Sequence, residues 1–208
     1  RRDIHAHPEL GFEEHRTSDL VAQQLKSWGI EVHRNIATTG VVGVLRGTGD
    51  SERSIGLRAD MDALPMEEEG TPEHRSKNSG KMHACGHDGH TTMLLGAARY
   101  LAETKNFDGT VHFIFQPAEE GGGGGRVMVE EGLFDKFKCD TVWGMHNSPN
   151  LPAGTLAIRP GPLMAAVDMA TITINAKGCH AAHPHMGKDP IAVEVQLYTA
   201  IQTIVSRN

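Results

Sequence analysis

The order of short apolar runs and longer helical periods most constrains the fold of this chain. Runs rich in β-branched residues and bounded by glycine or charged residues predict strands, and apolar residues three and four positions apart predict helices. The predicted strands are 41–45, 54–59, 110–116, 140–145 and 169–176, and the predicted helices are 17–28, 91–103, 127–131 and 189–205. This alternation favours an α/β fold with a mostly parallel sheet flanked by helices.

A connecting segment divides the chain near Met164. Residues 156–164 include Arg159-Pro160-Gly161-Pro162 and follow neither a helical nor a strand period, which predicts a connection. We therefore expect a first domain over residues 1–164 and the beginning of a smaller α+β domain over 165–208. The second part is too short for a complete layer of sheet and helices, so we expect the sequence to stop within that domain.

Charge and hydropathy argue against two classes of partner. The formal net charge is −6 and the basic residues are scattered, so the basic stripe of a nucleic-acid-binding protein is missing. No apolar run approaches the roughly 20 residues that span a bilayer, and no signal segment opens the chain. We expect a soluble, cytoplasmic protein without a membrane partner. The three cysteines are widely spaced and odd in number, which favours reduced thiols that can bind metal.

Residues 83–90 (His-Ala-Cys-Gly-His-Asp-Gly-His) concentrate metal-binding chemistry at the start of a predicted helix. Three imidazoles, one thiol and one carboxylate lie within eight positions. Thiolate and neutral imidazole are preferred donors for zinc and similar ions, although the paired spacing of structural zinc sites is absent. The segment predicts a metal site that includes Cys85 and His87. The alternative is a polar helix entry whose histidines are satisfied by hydrogen bonds.

Acidic residues and a histidine follow three predicted strands. Glu119-Glu120 come after the strand 110–116, Asp60 follows the strand 54–59, and His146 follows the strand 140–145. In sheets of this class ligands bind beyond the carboxyl ends of the strands. Adjacent carboxylates point in different directions on an extended backbone, so one can bind metal while the other accepts a proton from water.

Five motifs, in order over nearly the whole chain, resemble the aminoacylase and carboxypeptidase-type metallopeptidase family. The resemblance is to the branch of hippurate hydrolase and the auxin-amino-acid-conjugate hydrolases. The motifs occupy residues 1–14, 58–65, 83–90, 116–125 and 177–185. The resemblance implies a zinc-exopeptidase-like catalytic domain followed by a lid or dimerisation domain.

The resemblance also implies roles for individual residues. Two divalent metal ions, of manganese, zinc, nickel or cobalt, would be bound by Cys85, His87, Glu120 and His146. Glu119 would be the general base and then the proton donor. Asp60 would orient a ligand from behind, and Arg58 stands where related chains have the histidine of a His-x-Asp motif.

The implied substrate is a small N-acyl amino acid, with an acetyl, benzoyl or similar acyl group. The second domain would form a homodimer in which His180 reaches the partner's active site and stabilises the oxyanion. The family's further metal-binding histidine near the C-terminus is not in this sequence, which ends at Asn208. The alternatives are a dipeptidase or aminopeptidase with the same dinuclear site, and a non-catalytic metal-binding fragment.

Overall fold

The computed structural model describes residues 1–207, and for 205–207 it describes the backbone alone. The chain divides into two compact units, Arg1–Ala153 and Gly154–Asn208. This division falls before the predicted connection at 156–164, and a domain boundary near Met164 stays a prediction.

The first unit combines five strands with five helices. Its elements in chain order are α1 (Arg2–Ala6), α2 (His15–Ser27), β1 (Glu31–Ile36), β2 (Gly40–Arg46), β3 (Ser54–Asp60), α3 (His87–Thr104), β4 (Thr110–Gln116), α4 (Gly124–Glu130), α5 (Leu133–Lys136) and β5 (Thr141–Gly144). Every strand and helix predicted before residue 146 has a counterpart here. Three elements were not predicted: the two short helices α1 and α5, and the edge strand β1, whose side chains are largely polar and solvent-facing.

The strands form one mixed sheet in the order β1-β2-β4-β3-β5. The pairs β1/β2 and β2/β4 are antiparallel, whereas β3 pairs in parallel with β4 and with β5. The α/β class with flanking helices is confirmed, and the parallel arrangement is confined to three strands. Because Asp60 lies opposite Gln116 in the register, the carboxyl ends of β3 and β4 reach the same edge.

Two apolar clusters cover the two faces of the sheet. Phe113 and Phe115 of β4 pack with α2 and α3, whereas Ile114 between them packs with residues of α4 and α5. This alternation follows from the two-residue period of a strand. Helices therefore pack on both faces of the sheet, and the loops at its edge begin and end at elements that contribute to the core.

The second unit contains α6 (Pro190–Arg207), as predicted, but the predicted strand at 169–176 is wrong. A strand needs a neighbour for its backbone hydrogen bonds. Within the part of this unit that the structure describes, the ladder is limited to an isolated bridge between Lys177 and Lys188. Among the described helices of both units, none has the length and apolar character needed to span a membrane.

Candidate metal centre

The parallel part of the sheet brings four chain segments to one edge. β3 ends at Asp60, β4 leads into the turn 117–120, β5 leads to His146, and α3 begins at His87. Parallel strands with matched registers end together, so functional groups that are far apart in sequence converge there. This is the edge that the sequence predicted.

Three groups of side chains at this edge could each hold a metal ion, and His87 belongs to all three. They are Cys85-His87-His146, His87-Glu119-Glu120 and Asp60-His87-His90, with the ligand atoms of each group within 4.8 Å of one another. The four predicted ligands and the predicted base therefore lie together in the first unit. Their roles stay predictions, because proximity does not distinguish a ligand from a neighbour.

The ring of His87 is completely buried and its Nε2 atom has no hydrogen-bond partner. Nε2 lies 3.8 Å from Oε2 of Glu119 and 3.9 Å from Oε1 of Glu120, which is also buried and without a partner. Cys85 Sγ lies 3.3 Å from His146 Nε2. Buried polar atoms are normally paired, so the two unpaired atoms, His87 Nε2 and Glu120 Oε1, mark a place where a bound cation would compensate them.

The electrostatics of Cys85 indicate how much negative charge gathers here. Burial and the neighbouring carboxylates, Glu120 first among them, raise the pKa of the Cys85 thiol to about 12. Carboxylates crowded around a thiol oppose its ionisation, whereas a divalent cation reverses this effect and stabilises the thiolate. The same charges that keep the thiol protonated would thus attract a metal ion.

Asp62, which the sequence analysis did not select, holds the central histidine. Its Oδ1 lies 3.2 Å from Nδ1 of His87, and its Oδ2 accepts a hydrogen bond of 2.8 Å from the backbone N–H of Glu120. Burial opposes ionisation, but these bonds from His87 and the turn lower the pKa of Asp62. A carboxylate on the far nitrogen of a metal-binding histidine fixes the ring's orientation.

Asp60, the predicted orienting residue, contacts a different histidine. Its Oδ1 lies 2.6 Å from His90 Nδ1, and Arg58 donates to its Oδ2 at 2.7 Å. Although burial works in the other direction, the hydrogen bond from His90 and the charge of Arg58 lower the pKa of Asp60 to about 2. Oδ2 of Asp60 also lies 3.6 Å from Nε2 of His87. Asp60 therefore lies on the Nε2 side of the His87 ring, which faces the other possible ligands, and Asp62 lies on its Nδ1 side.

His90, which lies in the predicted segment 83–90 but was not selected as a ligand, and Asn147, which was not selected, fasten the segment that carries His146. The backbone N–H of Asn147 donates to Nε2 of His90 at 3.0 Å, and the Asn147 carbonyl lies 2.7 Å from Nδ1 of His146. His146 is otherwise exposed. Its ring is thus oriented through the neighbouring residue. The sequence indicated only that Asn147 is adjacent to the predicted ligand His146. It did not indicate that Asn147 bonds to His90, which lies 57 positions away.

The sequence of the chain matches a known family of peptidases. Residues 56–207 match the model of peptidase family M20/M25/M40. The chain belongs to this family. It is 51% identical over its full length to a hippurate hydrolase from Campylobacter jejuni, and 46% identical to an N-acetyl-L-cysteine deacetylase from Bacillus subtilis. It covers 54% and 50% of these two proteins, so it spans about half the length of the curated relatives it matches.

A solved member of the M20 family shares the fold. The crystal structure of a dinuclear metal-binding peptidase from Bacillus subtilis superposes with a TM-score of 0.74 at 42% identity, covering 78% of this chain and 45% of that one. The resemblance stated from the five motifs is confirmed. The donor set of this M20/M25/M40 chain, a thiol, imidazoles and carboxylates with two buried unpaired atoms, fits a bound metal centre.

His180 lies in the second unit of the chain. Its Nδ1 accepts a hydrogen bond of 3.1 Å from the backbone N–H of Ala182, and its ring lies 5.7 Å from that of His183. The side chain is exposed. These contacts are local to the motif 177–185, so the predicted role of His180 in catalysis stays a prediction.

Proposed function

We propose that the protein hydrolyses the amide bond of N-acyl amino acids at a dinuclear metal centre. The observation that carries this proposal is the arrangement around His87, whose unpaired Nε2 faces both Glu119 and Glu120. Such a pair provides one carboxylate for metal and one for proton transfer. The two relatives described above bear names of hydrolases that act on a benzoyl and an acetyl amide, which supports the acyl groups proposed here.

The residues that would hold two divalent ions are Cys85, His87, Glu120 and His146. Bound there, such ions supply Lewis acidity, which acidifies water and polarises a carbonyl. Asp62 keeps His87 oriented through its Nδ1 atom, and Asn147 keeps His146 oriented through its carbonyl oxygen. We propose manganese, zinc, nickel or cobalt as the metal, because each accepts imidazole and carboxylate ligands.

Glu119 is proposed as the general base. Its side chain is 43% exposed, whereas that of Glu120 is 24% exposed, so Glu119 is the more accessible to substrate and water. It would take a proton from the attacking water and then deliver that proton to the leaving amine nitrogen. General acid–base catalysis of this kind contributes about 10²- to 10⁴-fold to the rate.

The Glu119→Gln variant tests the proposal, because glutamine keeps the shape of glutamate but cannot take up a proton. We expect kcat for N-benzoylglycine and N-acetyl amino acids to fall by about 10²- to 10⁴-fold. Metal content, measured after dialysis, should stay that of the wild type. Because the chain spans about half the length of its relatives, the assay is run both on this chain and on the whole product of its gene, the longer form.

The matched control is Glu120→Gln, which we expect to lower the metal content and thereby the activity. A wild-type protein that binds metal but hydrolyses none of the substrates, in both the short and the longer form, would favour a non-catalytic metal-binding protein. Release of amino acids from unblocked dipeptides in preference to N-acyl substrates would favour the dipeptidase alternative.

We further propose a cytoplasmic homodimer formed through the second unit, with His180 acting in the partner's active site. Large apolar side chains of this unit are exposed, among them Leu156, Val167 and Met169. Large apolar side chains of this kind are buried when they contribute to an interface, which supports the proposed dimer. Sedimentation of the longer form tests the dimer, and a dimeric His180→Ala variant with unchanged kcat would exclude the role of His180.

A further inference from the structure

A buried carboxylate in the first motif has no part in the function proposed above. Glu14 lies at the start of α2, within residues 1–14, and is completely buried. Burial raises the pKa of its carboxyl group, although hydrogen bonds from Thr39 and Ala118 act in the opposite direction. Burying an acidic side chain is costly unless its oxygens are hydrogen-bonded. The contacts of Glu14 therefore indicate what it is there to hold.

Both carboxyl oxygens of Glu14 are occupied. Oε1 accepts a hydrogen bond of 2.8 Å from the backbone N–H of Ala118, a residue 104 positions away, and Oε2 accepts one of 2.5 Å from the hydroxyl of Thr39. Thr39 is itself buried next to β2. Glu14 thus connects the beginning of α2 and the β1–β2 turn to the segment that follows β4.

Ala118 has a backbone conformation that alanine rarely adopts. Its φ is 49°, in the left-handed region, and its side chain is completely buried. A Cβ atom disfavours this region, so holding alanine there costs free energy. Its immediate successors are Glu119 and Glu120. The direction in which these two carboxylates leave the turn therefore depends on keeping Ala118 in an unfavourable conformation.

The packing around Ala118 has the same consequence. A Cβ atom at Gly11 would come within 2.9 Å of the Ala118 Cβ, and one at Gly122 within 2.7 Å. Only glycine leaves room for the Ala118 methyl group at these two positions. On its other side the turn is held by Asp62, which accepts from the N–H of Glu120. The buried carboxylates of Glu14 and Asp62 therefore hold the turn from two sides. Of these two, Asp62 also contacts the proposed metal ligand His87.

We propose that Glu14 is a positioning residue: its hydrogen bond to Ala118 N holds the left-handed turn that aims Glu119 and Glu120 at the metal centre. The inference rests on the proposed function for the roles of these two glutamates. The inference explains why the first motif contains a buried glutamate at Glu14 and a glycine at Gly11. Glu14 does not touch the reacting atoms, so its effect passes through the backbone of the turn.

The test compares Glu14→Ala with Glu14→Gln in the longer form of the protein. Glutamine can still accept from Ala118 N, and Thr39 can rotate its hydroxyl to accept from the glutamine amide. We expect Glu14→Ala to lower kcat by about 10- to 100-fold, the scale seen when a catalytic group is displaced by about an ångström. It should also weaken Co²⁺ binding about tenfold, because Glu120 is displaced. Glu14→Gln should keep both quantities within about threefold of the wild type.

Ala118→Gly provides a rescue that a merely structural role would not produce. Glycine adopts positive φ at little cost, so the turn no longer depends on Glu14 to stay in the left-handed region. We expect the double variant Glu14→Ala/Ala118→Gly to recover most of the lost Co²⁺ affinity. The control is Leu25→Ala in the core of α2, which removes a completely buried side chain away from the turn. It should lower Tm and leave kcat and Co²⁺ affinity unchanged.

Co²⁺ affinity separates this proposal from the proposed function. If the wild type hydrolyses no N-acyl amino acid, the function fails, but the effect of Glu14 on Co²⁺ binding still decides the present inference. A Glu14→Ala protein with lower Tm and wild-type Co²⁺ affinity would refute it. A double variant whose loss of Co²⁺ affinity equals the sum of the losses in Glu14→Ala and Ala118→Gly would also refute it. Failure of both Glu14→Ala and the double variant to fold would refute it as well, because Glu14 would then be required for folding.

Discussion

Single residues at the metal centre have protonation states that compete with metal binding. The pKa of Cys85 is raised to about 12 by burial and by the carboxylates of Glu120 and Glu119. The pKa of His87 is also raised, because the hydrogen bond to Asp62 and the charge of Asp60 outweigh its burial. A metal must displace the proton of the Cys85 thiol, and it must also displace the proton on Nε2 of His87 wherever that ring is protonated. We therefore expect affinity to increase with pH, by roughly tenfold per pH unit for each proton released.

Titration of the metal-free protein with Co²⁺ between pH 6 and 8 measures this dependence. The Cys85→Ala variant is the control, and it should bind more weakly with a slope that is lower by about one proton. An affinity that is independent of pH would mean that the ligands are already deprotonated, and that the carboxylates do not raise the pKa of the Cys85 thiol as described.

At the scale of elements, α3 carries His87 at its start and contains a glycine that packing does not require. Gly96 lies in the helix with nothing within 4 Å of the place where a Cβ atom would stand. Because glycine loses more backbone entropy on folding than alanine, Gly96→Ala should raise the unfolding free energy by about 0.5–1 kcal/mol. Urea denaturation measures the change, and Co²⁺ affinity should stay the same.

Gly47 offers the contrasting substitution. A Cβ atom there would lie 2.1 Å from the carbonyl oxygen of Phe107, so Gly47→Ala should destabilise the protein. The prediction for α3 would be wrong if Gly96→Ala lowered the unfolding free energy as Gly47→Ala does.

At the scale of the molecule, buried ionisable groups make the fold sensitive to acid. Burial lowers the pKa of His83 from 6.5 to about 4, and neither of its ring nitrogens has a hydrogen-bond partner. Between these two pH values the unfolded chain binds a proton that the folded chain does not, so stability falls as pH falls. Asp60 acts in the same direction between 3.8 and about 2.

The metal-free protein should therefore lose on the order of 3 kcal/mol of stability through His83 as the pH falls from 6.5 to 4. His83→Leu removes the titrating ring and should flatten this dependence in urea unfolding measured across that range. Replacement of the exposed His15 by glutamine is the control for the loss of a histidine that is not buried. An equally steep dependence in His83→Leu would assign the acid sensitivity to other groups.

Much of the fold followed from local patterns. The helices α2 and α3 and the strands β3 and β4 have periods and boundaries that their own residues set, because burial of one face imposes the spacing of apolar side chains. The edge strand β1 has no such pattern, since it faces solvent. The predicted strand at 169–176 has the pattern, but a strand forms only where another strand pairs with it.

The chemical groups of the candidate metal centre, and their positions after strand ends, could be recognised in the sequence. Cys85, Glu119, Glu120 and His146 could be selected because they follow predicted strands or begin a predicted helix, and because their motifs resemble those of a metallopeptidase family. The hydrogen bonds that orient these groups became visible in the folded chain alone. The contacts of Asp62 with His87, Asn147 with His90, and Glu14 with Ala118 join residues 25 to 104 positions apart. Such pairs depend on the order in which the strands pair in the sheet, and the local spacing of residues does not indicate that order.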